Sequence, residues 1–512
     1  MVSSTRNNKR IAKNTMYLYM RMLFLMIVSL FTSRVVLDAL GIEDYGIYNV
    51  VGGFVTMFGI ISAALTSAST RFLTFEMGRG ENGRQSLVFS SSVTIHCCLA
   101  VFIFFIAEVI GIWYINNIMV LPPSRLQAAN WCFQFSLINY CTSLIIVPYN
   151  ASIVAHEDMK TFAYVGLFHG IAQLGISCFI YFEPLDRLIF YAMMLMVLQF
   201  IIRYIYHRYC ICHYQECRYR FTINVVIIKQ IFGYSFWHLI GNGAAILKIH
   251  GVNLVLNFFF GPTVNAARGV ANQVNAAISQ FVDNFMMAMT PQITKSYAKG
   301  DYSYMHQLIN TGARFSFYLF LILSLPIIIN AETVLNLWLK EVPFYATIFT
   351  QLTLIAILIS TLSRPLITAQ NATGNVRNYQ IVVGGIEMLN LPVSFCCLYY
   401  GMDPYSVVVV NVIVNVLSLF ARIYMLPFTV PSFRPFGFIK EVLVVCTEVA
   451  ILTSILSYMC YKLVPNNFFG FTINVILCIF LTSIAVYFVG CNRRERLFAT
   501  AKTKQYLIRF FG

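Results

Sequence analysis

Charged residues are scarce in this sequence of 512 residues: Asp, Glu, Lys and Arg make up 11% of it, whereas 59% is hydrophobic. A soluble protein of this length carries about a quarter charged residues, so the composition excludes a soluble globular protein. Apolar runs such as "CLAVFIFFIAEVIGIWYI" lack the alternation of polar and apolar residues that a membrane β-barrel requires. The sequence therefore predicts an all-α integral membrane protein, in which each crossing takes roughly 20 apolar residues.

Motifs of several enzyme classes are also missing. The sequence contains no Gly-rich phosphate-binding loop, no Ser-His-Asp arrangement and no acidic metal motif, and every predicted loop is short. The 14 cysteines are scattered through apolar runs, which is typical of small buried residues rather than of a disulfide framework. The cluster "CICHYQEC" (residues 210–217) matches no zinc spacing. We therefore predict no metal and no cofactor, and we expect the function to be carried out in or beside the membrane.

The apolar runs predict fourteen transmembrane helices. They lie at about residues 14–37, 46–69, 87–114, 128–149, 162–182, 188–206, 231–256, 264–289, 307–330, 345–370, 379–400, 405–427, 441–463 and 469–490. If both termini are cytoplasmic, 24 Lys and Arg residues fall in inside segments and only four fall outside. Cytoplasmic loops collect Lys and Arg, so this split favours cytoplasmic termini. The net charge of +15 then faces the cytoplasm and anionic lipid headgroups, and we predict no nucleic-acid partner.

Two stretches that lie 220 residues apart share one plan. "LDALGIEDYGIYNVVGGF" and "NFFFGPTVNAARGVANQV" align Gly41 with Gly261, and the basic loops that follow align Gly80 with Gly300. Because six helices separate them, the halves have the same orientation, as in transporters built from parallel repeats. This predicts two six-helix lobes related by a pseudo-two-fold axis along the membrane normal. The predicted parts are an N-lobe (1–206), a cytoplasmic linker (207–230), a C-lobe (231–430), an extra helix pair (431–490) and a basic cytoplasmic tail (491–512).

Seven Lys and Arg residues fall inside the predicted spans. Four of them lie near cytoplasmic ends, where a long side chain can snorkel to the headgroups: Arg21, Arg314, Arg364 and Arg422. Arg34 has Asp38 one turn further on as a local partner. Lys248 lies too deep to reach either surface comfortably, and an intramembrane charge is a functional candidate.

The predicted eighth span (264–289) carries a polar stripe. Asn265, Arg268, Asn272, Asn275 and Ser279 follow one another at steps of three and four, which lays them along one helix face. Such a stripe either seals against another polar helix or lines a water-filled cavity. We favour a cavity between the lobes.

The first, seventh and eighth spans would line this cavity. Arg34, Lys248 and Arg268 would then converge there on an anion, and guanidinium and ammonium groups commonly bind phosphate. The amides of Asn265 and Asn272, with that of Asn275, would contribute to the same substrate site.

Two further features lie inside the spans. Glu387, at mid-depth in the eleventh span, is a candidate for binding a coupling proton or Na⁺, although a structural hydrogen-bonding role is equally compatible with its position. Pro326 and Pro392 lie deep enough to kink their helices and act as hinges, although terminating a helix is the commoner role of proline.

The chain resembles the polysaccharide-export branch of the multidrug/oligosaccharidyl-lipid/polysaccharide (MOP) exporter superfamily, the Wzx-type O-antigen flippases. Three stretches carry the resemblance: "NTMYLYMRMLFLMIVSLFTSRVVLDALGIEDYGIYNVVGG", "RGVANQVNAAISQFVDNFMMAMTPQITKSYAKGD" and "ATGNVRNYQIVVGG". It implies two six-helix lobes around a cationic cavity. It also implies that an undecaprenyl-diphosphate-linked glycan moves from the cytoplasmic to the periplasmic leaflet of the bacterial inner membrane. By helix and depth, Arg34 and Arg268 match arginines that matter in related lipid-II flippases.

On this resemblance, the expected partners are a lipid-linked oligosaccharide, membrane lipids and the polysaccharide polymerase machinery, in O-antigen and lipopolysaccharide biosynthesis. Two alternatives remain. A cation-coupled multidrug antiporter of the same superfamily would need acidic rather than basic cavity residues. A membrane glycan polymerase or ligase would normally carry a large outer loop with catalytic polar residues, and the sequence has none.

Overall fold

The computed structural model describes most of the chain, and every regular element in that part is helical. The described residues are 2–56, 58–80, 83–117, 122–182, 186–222, 224–246, 248, 251–260, 262–339, 342–430, 433–465, 467–493 and 495–496. They fall into two compact units. Unit 1 comprises Met1–Gly243 and Met287–Asp301, and unit 2 comprises Ala244–Met286 and Tyr302–Gly512.

Unit 1 is built around a central helix, α4. Its helices are α1 (Val2–Thr56), α2 (Gly59–Gly78), α3 (Gln85–Asn117), α4 (Leu126–Ala155), α5 (Met159–Phe179), α6 (Arg187–His213) and most of α7 (Val225–Ile246). α4 packs against α1, α2, α3 and α6, and α1 also packs along α5. Phe133 and Leu137 of α4 are fully buried. Gly111 of α3 lets this core close, because a Cβ there would lie 2.2 Å from the Phe133 ring.

Unit 2 contains the remaining helices. They are α8 (Val252–Phe260), α9 (Pro262–Ala298), α10 (Tyr302–Ile329), α11 (Ala331–Trp338), α12 (Ala346–Thr361), α13 (Arg364–Thr373), α14 (Arg377–Met388), α15 (Asn390–Tyr399), α16 (Ser406–Met425), α17 (Pro435–Phe438), α18 (Val445–Leu463) and α19 (Phe468–Ala485). The last turns of α9, from Met287, belong to unit 1. Within unit 2, α10 packs against α12, α13, α18 and α19, while α16 packs against α12, α14 and α15.

Ten helices among the described residues are long and apolar enough to cross a membrane, or eleven if the bent pair α12–α13 is one span. With the bent pair counted as one span, these helices correspond to eleven of the fourteen predicted spans. The length and composition of the helices are those of a multi-pass membrane protein. The predicted spans at 46–69, 231–256 and 264–289 are not among them. The first two are interrupted, because α1 ends at Thr56 and α7 ends at Ile246. The third lies in α9, whose amide and arginine side chains lower its hydropathy. The count of fourteen stays a prediction.

Glycine and proline mark several breaks. Gly41 has φ 78° and interrupts α1, as the predicted glycine turn requires, since positive φ favours glycine. Gly80 (φ 63°) and Gly300 (φ 73°) follow the ends of α2 and α9 in the same conformation. Gly261 lies outside the described residues. Near Pro392 the helix is interrupted: α14 ends at Met388, the residue whose carbonyl a proline four positions later cannot engage, and α15 begins at Asn390. A kink or hinge at Pro392 stays a prediction.

Candidate functional site

Unit 2 contains a buried ion pair between two apolar helices. Glu387 lies in the last turn of α14, and Arg422 lies in the last turn of α16. An Nη of Arg422 lies 2.6 Å from Oε1 of Glu387, and the two side chains are only 10% and 17% exposed. Arg422 also donates from Nε to the hydroxyl of Tyr379 at 2.9 Å and from its other Nη to Oγ of Ser363 at 3.4 Å. Two side chains of α14 and one from the turn before α13 therefore hold this guanidinium in place.

Lys248 joins the same region from the segment between α7 and α8. Its Nζ donates to Oδ1 of Asn415 at 2.7 Å, and Nδ2 of Asn415 donates to the carbonyl of Ala356 at 2.9 Å. Asn415 and Arg422 are seven residues apart on α16, so they share one helix face. Lys248 is attracted electrostatically by Glu387 and repelled by Arg422.

The charges of this region do not balance. It holds two cations, Lys248 and Arg422, and one carboxylate, Glu387. Within the described part of the chain, no carboxylate lies within ion-pair distance of Lys248, whose hydrogen-bond partner is a neutral amide. A buried charge without an opposite charge is costly. The region is therefore suited to an anionic ligand, which would supply the missing negative charge. We call Lys248, Glu387, Arg422 and Asn415 the unit 2 charge cluster.

The polar stripe predicted at 264–289 lies on α9, and its first part turns toward α8. Arg268 donates from an Nη to Oδ1 of Asn253, and Asn265 donates to the backbone carbonyl of Asn253 at 3.0 Å. The Oδ1 of Asn265 is buried and accepts no hydrogen bond from a described group. Further along, Ser279 donates to Oδ1 of Asn275 at 2.8 Å. Asn272 is partly buried on the same helix.

The structure thus brings the predicted site residues together in two groups. Lys248 lies near Glu387, and Arg268 shares Asn253 with Asn265. The side chain of Arg34 lies outside the described residues. A role of Glu387 in ion coupling stays a prediction, and the structure adds that its carboxylate is paired with an arginine.

Sequence reasoning missed Asn253, Tyr379 and Asn415, and it assigned Arg422 to snorkelling. Glu387 and Arg422 are opposite charges in two consecutive apolar spans, which is compatible with a pair, but the sequence does not give the register between the two spans. Snorkelling is wrong for Arg422 and also for Arg314, which is 10% exposed and pairs with Glu495 at 2.6 Å.

The other two arginines assigned to snorkelling also have partners. Arg364 is 38% exposed and pairs with Asp283 at 2.9 Å. The guanidinium of Arg21 lies 4.4 Å from the ring centre of Phe162. Gly166 makes room for it, since a Cβ at this position would lie 2.1 Å from Nε of Arg21.

Unit 1 has a polar cluster of its own at the turn between α4 and α5. Glu157 is 3% exposed and has φ 62°, a conformation that is rare for residues other than glycine. Its carboxylate pairs with Lys295 at 2.7 Å and with Arg10 at 3.3 Å, and it accepts from Nε2 of Gln292 at 2.5 Å. The backbone carbonyl of Glu157 accepts from Asn14 at 2.8 Å. This unit 1 charge cluster fixes the end of α9 to the α4–α5 turn and the start of α1.

The cysteine- and histidine-containing segment at 210–217 is also part of unit 1. Cys210 and Cys217 are buried, and Nδ1 of His213 lies 2.9 Å from the carbonyl of Tyr209, one turn earlier. Among the described residues, no group of three or more His, Cys, Asp or Glu side chains is placed to hold a metal ion. These side chains are accounted for by packing and by local hydrogen bonds.

No protein-family model matches the chain, and no curated protein matches it. Solved structures do match. An outward-facing multidrug resistance MATE family transporter of the MOP superfamily gives a TM-score of 0.72 at 11% identity, over 84% of this chain and 97% of that chain. A MOP superfamily transporter from Pyrococcus furiosus gives a TM-score of 0.71 at 12% identity, over 83% of this chain and 96% of that chain. The binding pocket of that transporter is described as having reverse polarity, which suggests a different function.

The MATE transporter ClbM in complex with Rb⁺ gives a TM-score of 0.67 at 12% identity, over 81% of this chain and 94% of that chain. At these identities the similarity shows the fold. The chain has the fold of the MATE-type transporters of the MOP superfamily.

Proposed function

We propose that this protein is a membrane exporter that moves an undecaprenyl-diphosphate-linked glycan from the cytoplasmic to the periplasmic leaflet by alternating access. The observation that carries the proposal is the surplus positive charge of the unit 2 charge cluster. Arg422 is paired with the one carboxylate, Glu387, and the direct partner of Lys248 is an amide. The diphosphate of a lipid-linked glycan has the charge that this region lacks.

Magnitudes support an anionic substrate. Moving one carboxylate-sized ion from water into a medium of low dielectric costs of order 20 kcal/mol by an idealised Born estimate. Cations placed inside the protein remove much of that cost, while the polyprenyl chain stays in lipid. An inside-negative membrane potential favours export of an anion by about 2.3 kcal/mol per charge per 100 mV. Arg268, with Asn265, offers a second group of donors on α9.

The rest of the sequence-based account belongs to the same proposal. We infer fourteen crossings with both termini in the cytoplasm, in the inner membrane of a bacterium. Two six-helix lobes would be followed by an extra helix pair. Arg34, Asn272 and Asn275 would contribute to the substrate site, and the polysaccharide polymerase machinery would receive the exported glycan. We infer a transporter rather than an enzyme, and the fold neighbours are also described as transporters.

Multidrug export is the second candidate, and the fold neighbours favour it, since one of them is described as a multidrug resistance transporter. A cationic drug or coupling ion requires an acidic site. In the unit 2 charge cluster the carboxylate of Glu387 is already paired with Arg422 at 2.6 Å. The neighbour described as having reverse polarity supports the idea that one fold accommodates pockets of different charge. We therefore favour the anionic substrate.

Complementation of a deletion strain tests the proposal. Lys248→Ala and Arg268→Ala should each abolish surface glycan and cause lipid-linked glycan to accumulate inside, at unchanged protein level. Lys440→Ala is the matched control, because Lys440 is an exposed lysine of unit 2. Surface glycan at the wild-type level in both variants would reject the proposal. Drug efflux in a sensitised host that depends on the wild-type protein would favour the multidrug alternative. Unpolymerised single units at the cell surface would favour a polymerase.

A further inference from the structure

A second polar pocket lies in unit 2, away from the charge cluster. It has a volume of about 370 Å³ and lies between α11, the end of α18 and the start of α19. Ligand pockets of about 300–1,000 Å³ hold small molecules. The predicted topology places the α10–α11 and α18–α19 turns at the periplasmic ends of their helices. Phe468, which lines this pocket, is exposed, as expected of an aromatic residue at a membrane–water interface.

The lining is rich in amides. Asn330, Asn336, Asn467 and Asn474 all line the pocket, together with the carboxylate of Glu332. An amide side chain offers two donors and one acceptor oxygen, so this set both donates and accepts. Glu332 and Asn336 are four residues apart on α11 and share one face of that helix.

One of these amides is buried with a donor unused. Asn474 is 1% exposed, and its Oδ1 accepts from Nδ2 of Asn330 at 2.8 Å. Its own Nδ2 is buried and donates to no described group. A buried donor that makes no hydrogen bond is costly, so the arrangement provides for a ligand acceptor at this point.

One of the lining amides also caps the start of α19. Asn467 caps α19 by accepting from the N–H of Gly470 at 2.7 Å. Gly470 is required here, because a Cβ would lie 1.9 Å from the carbonyl oxygen of Pro465.

Aromatic rings complete the lining. Tyr461 of α18 and Phe468 and Phe471 of α19 lie beside the amides. Aromatic rings supply a large, rigid apolar surface. A sugar ring has hydroxyls around its edge, which both donate and accept hydrogen bonds, and C–H faces that pack on such rings. The described lining residues include one carboxylate, Glu332, and no Lys or Arg, which disfavours a phosphate.

We propose that this pocket binds a neutral sugar residue of the exported glycan on the periplasmic side. The inference deepens the proposed function and rests on it, because it assigns the sugar-contacting surface to α11 and the α18–α19 turn. The diphosphate and the sugar would thus be recognised by different parts of unit 2.

Saturation-transfer-difference NMR tests the pocket directly. The full-length protein in nanodiscs is titrated with the methyl glycosides of glucose, galactose, mannose and N-acetylglucosamine. Glu332→Ala/Asn336→Ala is the test variant, because both side chains are exposed on one short helix and their removal leaves the helix packing intact. Asn117→Ala is the matched control, since Asn117 is an exposed asparagine at the end of α3 in unit 1. Sodium diphosphate serves as a competitor.

At least one glycoside should give a saturable signal, and the double variant should weaken its affinity about tenfold or more, which corresponds to about 1.4 kcal/mol. Asn117→Ala and diphosphate should leave the signal unchanged. Wild-type affinity in the double variant, competition by diphosphate, or no saturable signal with any glycoside would overturn the inference. Glycoside binding to this pocket together with normal glycan display by Lys248→Ala and Arg268→Ala would instead overturn the proposed function alone.

Discussion

The two charge clusters are built from the same groups in different surroundings. In unit 1, Glu157 pairs with Lys295 at 2.7 Å and with Arg10 at 3.3 Å; the Arg10 side chain is 48% exposed. In unit 2, Glu387 pairs with Arg422 at 2.6 Å, the Arg422 side chain is 10% exposed, and Lys248 adds a second cation. Each cluster has one more cation than carboxylates.

The two clusters differ in how the charge of the extra cation is compensated. In unit 1 the surplus cation, Arg10, reaches water, which solvates it at little cost. In unit 2 one cation, Arg422, lies within an apolar helix and the other, Lys248, lies between two of them, where water is a poorer source of compensation. Two cations and one carboxylate therefore stabilise the structure in the unit 1 charge cluster and, on our account, form an anion site in the unit 2 charge cluster.

The largest expected effect is the loss of stability when the Glu387–Arg422 ion pair of unit 2 is broken. Glu387→Gln leaves Arg422, which is 10% exposed, and the partly buried Lys248 without a carboxylate, and we expect a loss of about 3–5 kcal/mol of unfolding free energy. Removing both charges, in Glu387→Gln/Arg422→Gln, should recover most of it. The measurement is the thermal unfolding midpoint in detergent. If the double variant is as unstable as the single one, the pair is not what holds α14 to α16.

The corresponding change in unit 1 should be milder. Glu157→Gln removes the ion pairs with Lys295 and Arg10 but keeps an oxygen that accepts from Gln292. Because Arg10 is half exposed, we expect a loss of about 1.5–3 kcal/mol, the range for hydrogen bonds to charged groups. The same unfolding assay measures it. A loss as large as that of Glu387→Gln would show that water does not compensate the unit 1 cluster, and the comparison would fail.

The smallest effect concerns pH and the residue after Glu157. Burial raises the pKa of Asp158, but hydrogen bonds from Tyr209 at 2.5 Å and Thr161 at 2.9 Å outweigh it and hold that pKa below its ordinary value. Because the pKa of Asp158 is lower in the folded than in the unfolded state, its carboxylate stabilises the folded protein at pH values above the unfolded pKa of about 3.9. This contribution to the unfolding free energy is lost as the pH falls through the folded-state pKa. Since Asp158 is partly exposed, we expect under about 1 kcal/mol.

Asp158→Asn isolates this contribution. The unfolding midpoint of the wild type should fall as the pH is lowered through this range, and the midpoint of the variant should fall less. Asp301→Asn is the control, because Asp301 is an exposed acidic residue of unit 1; the unfolding midpoint of this variant should show the same dependence on pH as that of the wild type. Identical pH profiles for Asp158→Asn and the wild type would show that the Tyr209 and Thr161 contacts do not depend on the carboxylate.

Composition and periodicity were enough to predict an all-α membrane protein and the glycine break at Gly41. They were not enough to count crossings, because amide-rich segments such as α9 fall below the hydropathy of a span. The sequence also did not allow us to predict which charged side chains of different helices pair with each other. Glu387 and Arg422 were each noticed alone, but a sequence carries no register between consecutive spans, so their contact at 2.6 Å emerged only from the structure. The burial of Arg314 against Glu495 escaped prediction for the same reason.

The most direct measurement of the central claim is flipping by the purified protein in proteoliposomes. A polyprenyl-diphosphate-linked sugar is compared with the same sugar on an uncharged polyprenyl lipid, for the wild type, Lys248→Gln and Lys248→Arg. We predict that the wild type moves only the diphosphate-linked substrate. Losing one charge-assisted contact, worth about 1.5–3 kcal/mol, should slow Lys248→Gln at least about tenfold, and Lys248→Arg should keep most of the rate. Equal flipping of charged and uncharged substrates, or wild-type rates in Lys248→Gln, would contradict the account.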